Sequence, residues 1–240
     1  MSGRRAVVWG ASGGIGRAVV EALEASGEYA VIYAGSRTLV APVSEIVRPF
    51  TFDLSDETSI AAAAAAVAAS GPLDLTLVAT GFLHDAVHQP EKSFATLTAD
   101  AMVALYRVNT VGPALIAKHM IQALPKDRRS VFAALSARVG SIGDNRLGGW
   151  HSYRASKAAL NMIIANLAIE LRRTRPHSIA IGLHPGTVDT SLSAPFQKAV
   201  ADGKLFSPTG SVRHLLSVID SLTNTASGAV MAWDGQRILP

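Results

Sequence analysis

In the stretch Gly149-Trp150-His151-Ser152-Tyr153-Arg154-Ala155-Ser156-Lys157-Ala158-Ala159-Leu160, a tyrosine stands four residues before a lysine in an alanine-rich, helix-favouring segment. Residues at i and i+4 share a helix face, so the Lys157 ammonium can lie near the Tyr153 phenol without distortion. A free tyrosine titrates near about 10, too high for efficient proton exchange at neutral pH, and a nearby cation favours the phenolate. Such a pair suits a general acid. The plain alternative is a core aromatic with a snorkelling lysine.

A second group of residues changes that balance. Trp9-Gly10-Ala11-Ser12-Gly13-Gly14-Ile15-Gly16 follows an apolar run and opens a helical one. Glycines there let the backbone turn tightly and approach a pyrophosphate, which sits on the amides of the next helix. The spacing is Gly-x-x-x-Gly-x-Gly, through Gly10, Gly14 and Gly16. Beyond it, the second apolar run ends in Gly35-Ser36-Arg37, with no acid between Glu28 and Glu45 to grip an adenosine ribose. A guanidinium clamps phosphate oxygens bidentately, so Ser36 and Arg37 point to NADP(H) over NAD(H). A solvent-facing Arg37 is the competing reading.

These residues need elements to hold them. Strand-like runs at Ala6–Trp9, Tyr29–Tyr33, Arg48–Phe52, Leu73–Ala79, Ser130–Leu135, Ser178–Leu183 and Ala229–Trp233 alternate with helical stretches. The helices are expected near Gly14–Ser26, Asp56–Ala69, Ala99–Leu124, Tyr153–Arg173 and Thr209–Thr223. Thr38–Val47, with Pro42, is too short for more than an abbreviated crossover. Alternation of this kind, with near-continuous apolar strands, predicts one α/β domain over 1–240, a doubly wound parallel sheet covered on both faces.

Composition bounds the rest. The 240 residues suit a single core, and 49% apolar against 17% charged residues excludes a disordered chain. A net charge of +4 is mild. The basic clusters Lys126–Arg129 and Arg172–Arg175 fall at predicted helix ends, where solvated cations suit the macrodipole, so no nucleic-acid partner is expected. With no cysteine there is no thiolate metal site or disulfide, and the first residues run straight into a strand. A cytoplasmic protein with no membrane partner is expected. His84 and His88 have a metal-like spacing but lack a glutamate partner, and are read as solvent-facing loop residues.

Taken in order, the motifs resemble the short-chain dehydrogenase/reductase family over essentially the whole chain. They are the glycine turn, Asp53-Leu54, Ala79-Thr80-Gly81, Asn109, Tyr153-x-x-x-Lys157 and Pro185-Gly186-Thr187-Val188. Gly140-Ser141-Ile142-Gly143-Asp144-Asn145 and Trp233-Asp234-Gly235-Gln236 are most similar to its C-factor and sniffer-type carbonyl reductases. The resemblance implies a Rossmann domain with seven parallel strands in the order 3-2-1-4-5-6-7. It implies hydride transfer between NADPH and an aldehyde or ketone, with Tyr153 as acid and Lys157 holding the nicotinamide ribose and lowering the tyrosine pKa. Asn109 would support a water chain to Lys157 through its backbone carbonyl. Gly10, Ser12, Gly14, Ile15 and Gly16 would cradle the phosphates, Asp53 and Leu54 would flank the adenine, and Ala79, Thr80 and Gly81 would approach the adenosine ribose. Pro185, Gly186, Thr187 and Val188 would meet the carboxamide, and pairing of the long helices implies a homodimer or homotetramer.

One position departs from the family pattern. Its substrate-orienting serine would fall at Ala137, with Ser136 one place early and Ser141 one place past Gly140. Ser136 is carried as the catalytic candidate, although neighbouring residues of an extended segment point to opposite sides. Three alternatives stay open: Ser136 or Ser141 reaches the site, the reductase works without the hydroxyl, or reduction is lost, leaving a cofactor-binding regulatory or signalling protein. His151 and His184 lie near the site elements. The segment 184–207, with Leu192, Pro195, Phe196, Leu205 and Phe206, is read as a substrate lid, which favours a small uncharged carbonyl or alcohol.

Overall fold

Apolar runs of four to eight residues, most of them followed by a helix, leave both faces of a sheet to be covered, and the chain solves this with two helical layers. In a computed structural model that describes residues 3–39, 41 and 44–240, the strands are β1 (Arg4–Trp9), β2 (Tyr29–Ser36), β3 (Val47–Thr51), β4 (Leu75–Val78), β5 (Ser130–Leu135) and β6 (Ser178–His184). A short pair, β7 (Thr187–Val188) and β8 (Leu205–Phe206), lies apart from them, followed by β9 (Val230–Ala232) and β10 (Arg237–Ile238). The main sheet runs β3-β2-β1-β4-β5-β6-β9-β10. Its first seven strands are parallel in the expected order. An eighth, β10, adds antiparallel to β9 at the edge, short enough to escape a sequence reading.

The helices are α1 (Gly14–Ala25), α2 (Glu57–Ala68), α3 (Ala99–Tyr106), α4 (Gly112–Met120), α5 (His151–Thr174) and α6 (Pro208–Ser221). Side-chain alternation along the strands sorts the core into two layers. Val8, Leu77, Ala133, Leu135, Ile181 and Leu183 pack with Val19 and Leu23 of α1 and with Val212 and Leu215 of α6. Val7, Trp9, Phe132, Ala134 and Ala180 pack with α2, α4 and α5. On α5, Leu160, Ile164, Leu167 and Leu171 recur at helical spacing on the buried face, each contributing about 1.5–3 kcal/mol. Asp56 caps α2 by accepting from the Thr58 amide at 2.9 Å.

Two expectations are corrected, for the long helix and for Arg175. The single helix Ala99–Leu124 is interrupted: Arg107–Val111 forms a π turn, with the Gly112 amide donating to the Arg107 carbonyl, and Pro113 follows without an N–H of its own. Arg175 is buried rather than solvated, donating to the Leu124 carbonyl at 3.0 Å and to Gln122 at 2.8 Å. Arg129 donates to the Ile219 carbonyl at the end of α6 at 2.6 Å. The abbreviated crossover at Thr38–Val47 lies partly outside the described residues. Among the described residues no helix is long and apolar enough to cross a membrane, and no group of three or more His, Cys, Asp or Glu is arranged to hold a metal ion.

Candidate active site

The turn after β1 is built by backbone geometry. Gly10 has φ of +99°, and the amides of Gly10 and Ala11 both donate to the Gly35 carbonyl at 2.8 Å. The Gly13 amide donates to the Gly10 carbonyl at 3.1 Å, closing the loop. A Cβ on Gly16 would stand 2.1 Å from that carbonyl oxygen, so only glycine lets α1 start this close to β1. No side chain caps α1 and its first turn carries no acid, which leaves opening amides for an anion.

A cavity of about 370 Å³ opens beside this turn, lined by Gly10, Ser12, Ser36, Arg37, Asp53, Leu54, Ala79, Thr80 and Gly81. Every one of these residues was singled out in the sequence. Ser36 is buried and donates to the Thr38 carbonyl at 2.6 Å, which shapes the corner at which Arg37 is exposed. Asp53 accepts from the Ser55 hydroxyl and amide, which hold its carboxyl below the usual carboxylate range, with a smaller pull from Arg37. Leu54 packs where a Cβ on Gly112 would otherwise sit. The Thr80 hydroxyl is buried without a partner. Phe52, Phe82, Arg107 and Val108 also line the cavity and were missed; the last two stand immediately before Asn109.

An adjoining cavity of about 220 Å³ holds Tyr153. Ile15, Pro185, Gly186, Thr187 and Val188 line it from the cofactor side, and Leu83, Ala137, Val139, Trp150, Leu192 and Phe196 close it with apolar surface. Within 184–207, β7 pairs in parallel with β8, and a 3-10 turn at Ala194–Ala199 carries Phe196. A Cβ on Gly14 would meet Thr190, so this segment packs directly on the glycine turn. His84 is half-buried rather than solvent-facing: its Nε2 lies 3.2 Å from the Leu192 carbonyl, and its ring meets Phe196. His88 is held by Asp85 at 3.0 Å.

Tyr153 and Lys157 are both buried on the α5 face toward β5. The Lys157 ammonium donates to the Leu135 carbonyl at 2.8 Å and lies 5.8 Å from the Tyr153 ring centre. Burial pushes the phenol up to about 12 and pulls the lysine down to about 8. The expected lowering of the tyrosine by Lys157 is thus not what this arrangement produces, because desolvation dominates. Asn109, in the π turn, acts through its side chain. Its Oδ1 accepts from the Phe82 amide at 2.9 Å, and its Nδ2 donates to the Phe82 carbonyl at 2.8 Å and to the Ser156 hydroxyl at 3.1 Å. Ser156 in turn donates to the Tyr153 carbonyl at 2.8 Å, so the loop after β4 and α5 are tied together.

The serine candidates do not reach the cavity. Ser136 donates to Asn161 of α5 at 2.6 Å, while the alternating chain turns Ala137 into the cavity wall. Ser141 is buried and accepts from the Asp144 amide at 3.0 Å. His184 lines the cavity with its Nδ1 unpartnered, and burial pulls its imidazole down to about 4. His151 stacks on Phe94 at 4.1 Å, away from the cavity lining.

Comparison with known proteins agrees with this construction. Residues 4–201 match the family described as short chain dehydrogenase. The C-signal of Myxococcus xanthus is 33% identical over 138 residues, 57% of this chain and 77% of that protein. The NADPH-bound carbonyl reductase from chicken fatty liver has the same fold, with a TM-score of 0.83 at 24% identity, covering 100% of this chain and 95% of that one. Carbonyl reductase Sniffer of D. melanogaster superposes with a TM-score of 0.86 at 19% identity, covering 99% and 100%. The glycine turn, the sheet order and the extent of the match lead to one conclusion: the chain belongs to the short-chain dehydrogenase family.

Proposed function

We propose that this protein is an NADP(H)-dependent carbonyl reductase, able to run the reverse alcohol oxidation, with Tyr153 as its proton donor. The observation that carries the reading is the placement of the Tyr153 phenol at the wall of a mainly apolar cavity that adjoins the glycine-turn cavity. The chain fits a dinucleotide: α1 offers uncapped amides, Thr80 an unpartnered hydroxyl, and Arg37 a guanidinium at the rim. Bound there, the nicotinamide cofactor supplies or accepts hydride. Gly14, Ile15 and Gly16 would seat the phosphates, Ser36 and Arg37 would hold the 2'-phosphate, and Lys157 would hold the nicotinamide ribose. Pro185 to Val188 orient the carboxamide.

Tyr153 keeps its proton throughout the neutral range, since burial holds the phenol far above it, and so presents an O–H to a substrate oxygen. Leu83, Val139, Trp150 and Phe196 exclude water and select an uncharged aldehyde or ketone. The segment 184–207 closes as a lid over that substrate. Val103, Val111, Met162 and Ile169 remain exposed on α3 to α5, which supports a homodimer or tetramer through these helices, checked by light scattering. Ala137 favours a second reading, a cofactor-binding signalling protein with weak turnover. Fluorescence titration with NADPH and NADH, followed by NADPH oxidation against a panel of carbonyls, separates the two. Tight NADPH binding with turnover abolished in Tyr153→Phe supports the reductase, and binding without turnover supports the second reading.

A further inference from the structure

The start of α5 is unusual in what holds it. Its N-cap is Trp150, a left-handed residue with φ of 51° and ψ of 42°, and no side chain of its own caps the helix. A bulky residue in that region is strained, and it persists only where its surroundings over-determine it. Those surroundings come from a different part of the chain. Glu91, in the loop after β4, is 4% exposed, and its carbonyl accepts the Trp150 amide at 2.5 Å. Its carboxylate accepts the Ser152 amide at 3.2 Å and the Ser152 hydroxyl. Among the described residues it makes no ion pair. A buried carboxylate needs compensation, and here the positive end of α5 supplies it.

The clamped residues stand just before Tyr153 in the chain, and Trp150 lines the same cavity. Trp150 lies edge-on to Tyr153 at 6.2 Å and to Phe196 at 4.9 Å, and Ser152 directly precedes the phenol. We infer that Glu91 is a positioning residue for the reaction: it caps the catalytic helix from outside and locks Trp150, fixing where the Tyr153 hydroxyl meets the substrate. Glu91 itself lines neither cavity, so it acts through α5 and Trp150 rather than on the reacting atoms. The inference rests on the reductase reading for its kinetic consequence, and on geometry alone for the clamp.

The test compares Glu91→Ala with Glu91→Gln in the full chain. Glu91→Ala removes the carboxylate that accepts from Ser152 and keeps the backbone carbonyl bonded to Trp150, and kcat is expected to fall about tenfold or more while NADPH affinity stays within about twofold. Glu91→Gln keeps an acceptor oxygen and is expected to recover kcat to within about threefold of the parent. A kcat unchanged in Glu91→Ala, or a glutamine variant as impaired as the alanine one, overturns the proposal. If Glu91→Ala does not fold, Ser152→Ala replaces it, and an unchanged kcat again counts against the clamp. Hydrogen exchange at the Ser152 and Tyr153 amides is read alongside. Faster exchange in the alanine variant supports the clamp and unchanged exchange refutes it, even if the parent reduces no carbonyl and the reductase reading itself has failed.

Discussion

The cofactor end and the substrate end of the site are built by different physics. Around Gly10 to Gly16 the architecture is backbone: a positive φ, shared carbonyl bonds and a helix that begins too close to β1 for any Cβ. Around Tyr153 it is side-chain packing, with Leu83, Trp150 and Phe196 gathered from three separated segments and a cap borrowed from Glu91. The first kind of site is local in sequence and tolerates little change at a few positions. The second is distributed, so any one residue is replaceable at a graded cost. That difference says where substitutions break binding and where they tune the reaction.

The largest effect is expected on the substrate side. Tyr153→Phe removes the proton donor, so kcat should fall by about a thousandfold while NADPH titrates as in the parent. Loss of both together would show that the phenol is structural. On the cofactor side, Gly16→Ala drives a methyl group into the Gly10 carbonyl, and should cost about 3 kcal/mol of stability in denaturant unfolding and weaken NADPH binding. An unperturbed variant would refute the backbone account of the turn.

A pH profile probes the packed region. His184 is held near 4 in the fold against an ordinary value of 6.5, so the unfolded chain binds the additional proton between these values. Stability should therefore be complete above about pH 6.5 and fall by roughly 3 kcal/mol as pH drops toward 4, a loss that His184→Asn should remove. Arg37→Ala should weaken NADPH about tenfold and leave NADH unchanged, and equal changes for the two would remove the 2'-phosphate assignment. Smallest is Ala137→Ser, which places a hydroxyl in the cavity wall and should alter kcat/KM for a small ketone only about two- to fivefold. A gain of orders of magnitude would favour the signalling reading of the parent.

Much of the fold was legible because its signals are local. Apolar runs such as Ser130–Leu135 and Ser178–Leu183 are buried along nearly their full length, so alternation with helices read correctly as a parallel sheet. The break at Arg107–Val111 was not legible, since a π turn arises from how Asn109 must meet Phe82 and Ser156 rather than from helix propensity. Nor was Arg175, whose partners at Leu124 and Gln122 are more than fifty residues away in sequence.

By itself the sequence determined the glycine turn, the strands and helices around it, the Tyr153 and Lys157 helix and most of the residues lining the cavity beside that turn. Each depends on spacing within one strand-turn-helix unit, where chain geometry leaves few choices. Only the tertiary structure decided that neither Ser136 nor Ser141 faces the cavity, what caps α5, and that burial outweighs the lysine at Tyr153. Those outcomes depend on desolvation and on partners brought from distant segments, and neither is encoded in the spacing of neighbours.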